Sequence, residues 1–171
     1  MYRTKTYIAG DWTGDQDLIS QLYKWNNDDR LLLNFVDVHE LTQARDTSLA
    51  CSIKRSLSER LNASKTFVLI VGKDTDKLTK GACRYCNNYS SYFGSCTHGN
   101  TVDQRSFIEY ECEKAKRDNL KIVVLYNYTS VYKDKCPERL RYSGIHLNAY
   151  YKGTDGKYYW NYQEIKKAIL N

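Results

Sequence analysis

The sequence has no long apolar run and no block of positive charge. No stretch approaches the roughly 20 apolar residues that a membrane-spanning helix needs, and the mean hydropathy is -0.68. The first residues, MYRTKTYIAG, contain no apolar leader core. We therefore expect a cytoplasmic protein with no membrane partner. The net charge of +6 comes from 26 basic and 20 acidic residues spread along the chain, which does not favour nucleic acid as a partner.

Several catalytic and cofactor motifs are also absent. There is no GxGxxG and no GxxxxGK[ST] in the chain, so neither a standard dinucleotide cradle nor a triphosphate cradle is indicated. There is no GxSxG elbow, and the 3 histidines are not accompanied by a Ser or Cys in a local catalytic frame. A nucleophilic hydrolase is therefore disfavoured.

The pattern of apolar residues predicts one α/β domain covering residues 1–171, with a cysteine-containing insertion at about 80–104. Alternating strands and helices with crossover lengths favour a flavodoxin-like three-layer sandwich around a five-stranded, mainly parallel sheet. The order 2-1-3-4-5 follows from the fold class and not from the residues. The predicted elements are a strand at TYIAG, a helix at Asp15–Asn26, strands at Leu31–Val38 and Thr66–Val71 separated by a helix at Cys51–Asn62, a helix within RSFIEYECEKAKR, strands at Leu120–Leu125 and His146–Tyr151, and a closing helix through Tyr162 and Ile169.

One glutamate of the helix before Leu120 lies on the apolar face of that helix. At about 100° per residue, Glu109 and Glu113 share the solvent side, whereas Glu111 points toward the apolar stripe that contains Phe107 and Ile108. An unpaired charge at that place would be costly. The carboxylate is either a half-buried acid held by an Arg or Lys of a neighbouring loop, or a catalytic group.

Open α/β sheets bind ligands at the carboxyl ends of their strands. Asp11 and Trp12 follow the first predicted strand, and Asp37 and His39 belong to the end of the second. We expect these four residues to shape a substrate pocket together with Glu111. Each has a structural alternative, because Trp12 could close over the core and His39 could be a capped loop residue.

The insertion contains Cys83, Cys86, Cys96 and His98 in the spacing C-x2-C-x9-C-x-H. Four such ligands could form a closed, structural zinc site, but the spacing matches no common finger. The alternative is a mobile surface loop with free thiols. We therefore assign no metal and no required cofactor, and leave zinc at this loop open.

A single acid can support cleavage of a glycosidic bond when the leaving group already carries positive charge. Nicotinamide in oxidised NAD is such a leaving group, and a lone glutamate could hold the ribose and stabilise its developing cation. Glu111 suits that chemistry.

The chain resembles the TIR-like domains of bacterial Thoeris anti-phage defence, of the ThsB type. The resemblance rests on TYIAGDW, NFVDVHELTQARDTS, SIKRSLSERL, ASKTFVLIVGKDT and SFIEYECEKA before LKIVVLY, in that order. It implies an enzyme that cleaves NAD, releases nicotinamide and makes a cyclic or conjugated ADP-ribose signal. It also implies an aromatic-x-x-x-Glu pattern, which falls on Phe107 and Glu111.

The same resemblance implies the partners. These are NAD as substrate, a phage-derived trigger, a separate effector reached through the small-molecule signal, and further copies of the chain in a homo-oligomer. Two other functions stay open: a non-enzymatic TIR-type adaptor that self-assembles, and a nucleoside (deoxy)ribosyltransferase.

Overall fold

The computed structural model describes residues 5–31, 33, 35 and 49–171 of the protein. The elements, in chain order, are β1 (Lys5–Ala9), α1 (Gln16–Asn27), α2 (Ala50–Asn62), β2 (Ser64–Val71), β3 (Tyr89–Ser90), β4 (Ser95–Cys96), α3 (Phe107–Arg117), β5 (Lys121–Tyr126), β6 (Ile145–Asn148), β7 (Tyr150–Lys152), β8 (Tyr158–Trp160) and α4 (Tyr162–Leu170).

The central sheet has the order β1-β2-β5-β6, and its neighbouring strands are all parallel. The α/β class and this part of the predicted order are confirmed. The predicted strand at Leu31–Val38 falls mostly outside the described residues, so the sheet has four strands over the part of the chain that is described. Of that segment, Leu33 and Phe35 are described and buried.

Both faces of the sheet are covered, because successive side chains of each strand point to opposite sides. Tyr7 and Phe67 pack on the side covered by α2 and α3, which we call the α2/α3 face. Ile8 and Val68 pack on the side covered by α1 and α4, which we call the α1/α4 face. The apolar residues of each helix recur at three- and four-residue spacing and point to one of these two cores.

The final strand predicted at His146–Tyr151 is confirmed over its first half, but the chain bends at Ala149. Residues Ile145–Asn148 pair with β5, whereas Tyr150–Lys152 pair with β8 in a separate antiparallel hairpin. The backbone of Ala149 bonds in two directions, since its N–H donates to Tyr126 O over 2.8 Å and its carbonyl accepts from Asn161 N over 2.8 Å. The first bond extends the pairing with β5 by one residue, and the second joins Ala149 to the residue that follows β8.

The insertion forms a small hairpin ahead of α3. Strands β3 and β4 pair over two residues each, and the aromatic rings of Tyr92 and Phe93 are exposed near the turn between them. The hairpin rejoins the domain where Phe107 N–H donates to Lys80 O over 2.8 Å. Among the helices of the described ranges, none is long and apolar enough to cross a bilayer.

Candidate functional site

A capping box fixes the start of α3 and therefore the direction of its side chains. Ser106 Oγ accepts from Glu109 N–H over 3.2 Å, and Glu109 Oε2 accepts from Ser106 N–H over 2.7 Å. The helix begins at Phe107 as a result. Glu111, one turn further on, points toward the sheet, while Glu109 remains exposed.

Glu111 is buried on the α2/α3 face, with 3% of its surface exposed. The hydroxyl of Tyr7, from the middle of β1, donates a hydrogen bond to Glu111 Oε1. Tyr7 is itself fully buried and stacks on Phe67 with 5.8 Å between ring centroids. Periodicity had predicted this inward direction of Glu111, and the tyrosine that holds the carboxyl is a partner that periodicity along α3 did not identify.

Burial raises the pKa of Glu111 to about 7, while the hydrogen bond from Tyr7 and the positive charge of Arg60 act in the opposite direction. Desolvation dominates because a carboxylate in an apolar core loses most of its hydration. Near neutral pH the group therefore exists in both protonation states. A carboxyl with this property can act as an acid, a base or a fixed negative charge.

The sheet separates Trp12 from Glu111. Trp12 packs against the core of the α1/α4 face, with its ring centroid 6.2 Å from that of Tyr23. Asp11 lies in the same turn after β1, where its Oδ1 accepts from Thr13 N–H over 3.0 Å. The structure thus brings Asp11 and Trp12 together at the end of β1, and the indole packs on the face of the sheet opposite to Tyr7 and Glu111. The joint pocket of Asp11, Trp12 and Glu111 stays a prediction. Asp37 and His39 lie outside the described residues.

A polar cluster that the sequence analysis missed lies at the carboxyl ends of β1 and β5. Asn127 Nδ2 donates to Asp15 Oδ1 over 2.9 Å and to Asp17 Oδ1 over 3.0 Å. Tyr150 OH donates to Asp17 Oδ2 over 2.7 Å. Burial raises the pKa of Asp15, and the hydrogen bond from Asn127 opposes this. Because the cluster joins residues far apart in the chain, no local sequence signal could have found it.

The cysteines of the insertion are joined by one from α2. Cys51, Cys83, Cys86 and Cys96 line one cavity of about 10 Å³. His98, the fourth ligand considered from sequence, is exposed and does not line that cavity. In the described part of the chain, no group of three or more His, Cys, Asp or Glu side chains has the geometry to hold a metal ion as it stands.

Part of the chain matches a known protein family. Residues 7–80 match the family model described as Thoeris protein ThsB, TIR-like domain. No curated protein matches the chain. The resemblance drawn from the sequence is therefore confirmed over a segment that includes Tyr7, Asp11 and Trp12 but ends before α3 and Glu111.

Proposed function

Starting from the TIR-like domain of the Thoeris ThsB family in residues 7–80, we propose that this protein cleaves NAD. In this proposal Glu111 acts on the bond between nicotinamide and ribose. The observation that carries it is the buried carboxyl of Glu111 with its pKa raised to about 7. Tyr7, which lies within the matched segment, holds that carboxyl from β1.

Cleavage of the bond between nicotinamide and ribose requires one negative charge close to the ribose carbon. When the bond to nicotinamide breaks, the nicotinamide leaves as a neutral ring and the ribose carbon becomes cationic. An ionised Glu111 in a desolvated setting would stabilise this cation far better than a carboxylate in water. Losing one preorganised electrostatic group of this kind costs about 3–4 kcal/mol of transition-state stabilisation.

The substrate itself would favour the active ionisation state of Glu111. A positively charged nicotinamide placed near the carboxyl lowers its pKa, because an opposite charge favours the ionised form. Binding of NAD and ionisation of Glu111 would thus support one another. We expect the rate at limiting NAD to rise with pH through the range near pH 7 in which free Glu111 loses its proton.

Burial of Glu111 implies that substrate access requires movement. Tyr7 covers one oxygen of the Glu111 carboxyl, and only 3% of the surface of Glu111 is exposed. We propose that the described conformation is a resting state, and that a phage-derived trigger or assembly into a homo-oligomer parts α3 from β1. The product would be a cyclic or conjugated ADP-ribose that activates a separate effector.

The same burial supports a second candidate function. A carboxyl that is sealed beneath α3 and held by a core tyrosine also suits an adaptor that only assembles, in which Glu111 joins helix to sheet. Tyr92 and Phe93, which are 88% and 76% exposed on the insertion, offer such an adaptor an apolar contact.

The test is incubation of the full chain with NAD, with and without extract of phage-infected cells, followed by mass spectrometry. Nicotinamide and an ADP-ribose product should form with the wild-type chain. Glu111→Gln should reduce the rate at least about 100-fold. Glu59→Gln, which neutralises an exposed carboxylate on α2, should leave it unchanged. Unaltered NAD under every condition would favour the adaptor, and turnover of nucleosides alone would favour a ribosyltransferase.

A further inference from the structure

We propose that Cys51, Cys83, Cys86 and Cys96 bind one zinc ion as a structural tetrathiolate site that ties the first turn of α2 to the insertion. The site is independent of NAD chemistry. It also differs from the ligand set that the sequence spacing suggests, because Cys51 replaces His98.

The cavity is the first observation that carries this proposal. It is lined by all four thiol-bearing residues and measures about 10 Å³, which is close to the smallest volume that holds one water-sized body. The 2 remaining cysteines, Cys112 and Cys136, are buried in the core of the α2/α3 face. The clustering therefore involves the only cysteines of this chain that are not part of that core.

The backbone around Cys83 and Cys86 is tightly turned. The two residues flank a 3₁₀ turn in which Cys86 N–H donates to Cys83 O over 2.8 Å. The next turn closes with Tyr89 N–H donating to Cys86 O over 3.0 Å. The N–H of Asp103 donates to Cys83 Sγ over 3.2 Å, and such a bond stabilises a thiolate more than a thiol. Pairing of Tyr89 with Cys96 in the hairpin returns the third cysteine to the same cavity.

The charges near the cavity suit four thiolates. Cys51 lies in the first turn of α2, a 13-residue helix whose N-terminus has no side-chain cap, and the helix dipole there favours negative charge. Lys54 is buried nearby and donates to Asp103 O over 3.2 Å and Arg105 O over 2.6 Å. This cation would offset part of the charge of the loaded site.

The insertion has little regular secondary structure of its own. A connection of this length without regular structure is uncommon in a compact domain unless something organises it, and its two strands contribute two residues each. The thiols are not yet arranged as ligands. Metal binding would therefore require the cysteine side chains to change their χ1 rotamers. Zinc would then replace the four thiol protons, which pass to the buffer, at Zn–S distances of about 2.3 Å.

The experiment uses the full chain purified under reducing conditions, stripped with a chelator and titrated with zinc against a chromophoric chelator. We expect one zinc per chain. Cys51→Ser should weaken zinc binding at least roughly tenfold. His98→Ala and Cys136→Ser should retain wild-type affinity, because neither residue lines the cavity. Circular dichroism of each variant without metal reports whether it folds.

A second measurement needs no variant. Cobalt bound to the wild-type chain should show the strong charge-transfer absorption of four thiolate ligands in a tetrahedral site. Absence of zinc binding, cobalt bound by fewer than four thiolates, or loss of zinc in His98→Ala with full retention in Cys51→Ser would overturn the proposal. A disulfide among the four cysteines in the purified chain would overturn it as well.

Discussion

Replacing Glu111 by glutamine should make the protein more stable at alkaline pH and leave it nearly unchanged at acidic pH. The substitution keeps the shape of the side chain and an oxygen that accepts from Tyr7 OH, but it removes the charge. The effect follows from the buried position of Glu111 alone, and therefore holds whether or not the protein is an enzyme.

The size and sign follow from the change of pKa on folding. The carboxyl has an ordinary pKa of 4.5 in an unfolded chain and about 7 in the folded protein. The folded state therefore binds the proton more tightly, and stability falls as pH rises from about 4.5 to about 7. At about 1.4 kcal/mol for each pKa unit, the loss approaches about 3 kcal/mol above pH 7. Glutamine at this position does not undergo that loss.

The assay is urea unfolding of the wild-type chain and of Glu111→Gln at several pH values between about 4 and 8. Other ionisable groups contribute equally to both proteins, so the difference between the two free energies of unfolding isolates Glu111. That difference should grow by about 3 kcal/mol in favour of the variant across this range. The control is Glu59→Gln, which removes the charge of an exposed carboxylate on α2. The difference in free energy of unfolding between this variant and the wild-type chain should change little with pH.

Parallel pH profiles for the wild-type chain and Glu111→Gln would refute the reasoning. They would mean that Glu111 titrates alike in the folded and unfolded chains, and hence that it is hydrated in solution. A difference of the opposite sign would mean that Arg60 or another cation holds the ionised carboxyl more strongly than burial opposes it. Either result would also remove the observation on which the proposed function rests.

Three further substitutions test the surroundings of Glu111. Tyr7→Phe removes the hydrogen bond that lowers the pKa of Glu111, so an NMR titration should give a pKa above that of the wild type, and a lower value would contradict the assignment. Ser106→Ala breaks the capping box and should cost about 1 kcal/mol in urea unfolding; an unchanged midpoint would show that the cap is dispensable. Gly81 has φ of +103°, and a Cβ there would lie 2.5 Å from the Phe107 ring. Gly81→Ala should therefore lower the free energy of unfolding by on the order of 1–3 kcal/mol. An unchanged free energy of unfolding would mean that the insertion adjusts without strain.

The fold was largely predictable because its main elements are set by local patterns. The segments TFVLIV and LKIVVL are apolar on both faces, as strands buried between two helical layers must be, and they became β2 and β5. The helices were predicted to within a few residues, since their apolar positions recur at helical spacing. The break at Ala149 was missed because it depends on the strands with which the two halves pair, β5 before the break and β8 after it, and not on a local residue pattern.

The candidate site was predictable only for the residue whose direction a single helix determines. Rotation about α3 placed Glu111 inward because the apolar stripe and the acid share one helix. Its partner Tyr7 and the charge of Arg60 come from other elements, and their approach depends on how β1, α2 and α3 pack. Cys51 joined the other cysteines for the same reason, since 31 residues lie between Cys51 and Cys83 in the chain.

The sequence does contain a signal that would have separated Trp12 from Glu111. Side chains alternate along β1, so Tyr7 and Ala9 share one face of the sheet and Ile8 takes the other. A tyrosine in an otherwise apolar buried strand needs a partner for its hydroxyl, and an acid facing the core of a neighbouring helix needs a donor. Tyr7 and Glu111 could therefore have been predicted as hydrogen-bond partners. Because Trp12 packs with the helix that follows β1 directly, and that helix covers the opposite face, the indole and the acid belong to different layers of the domain.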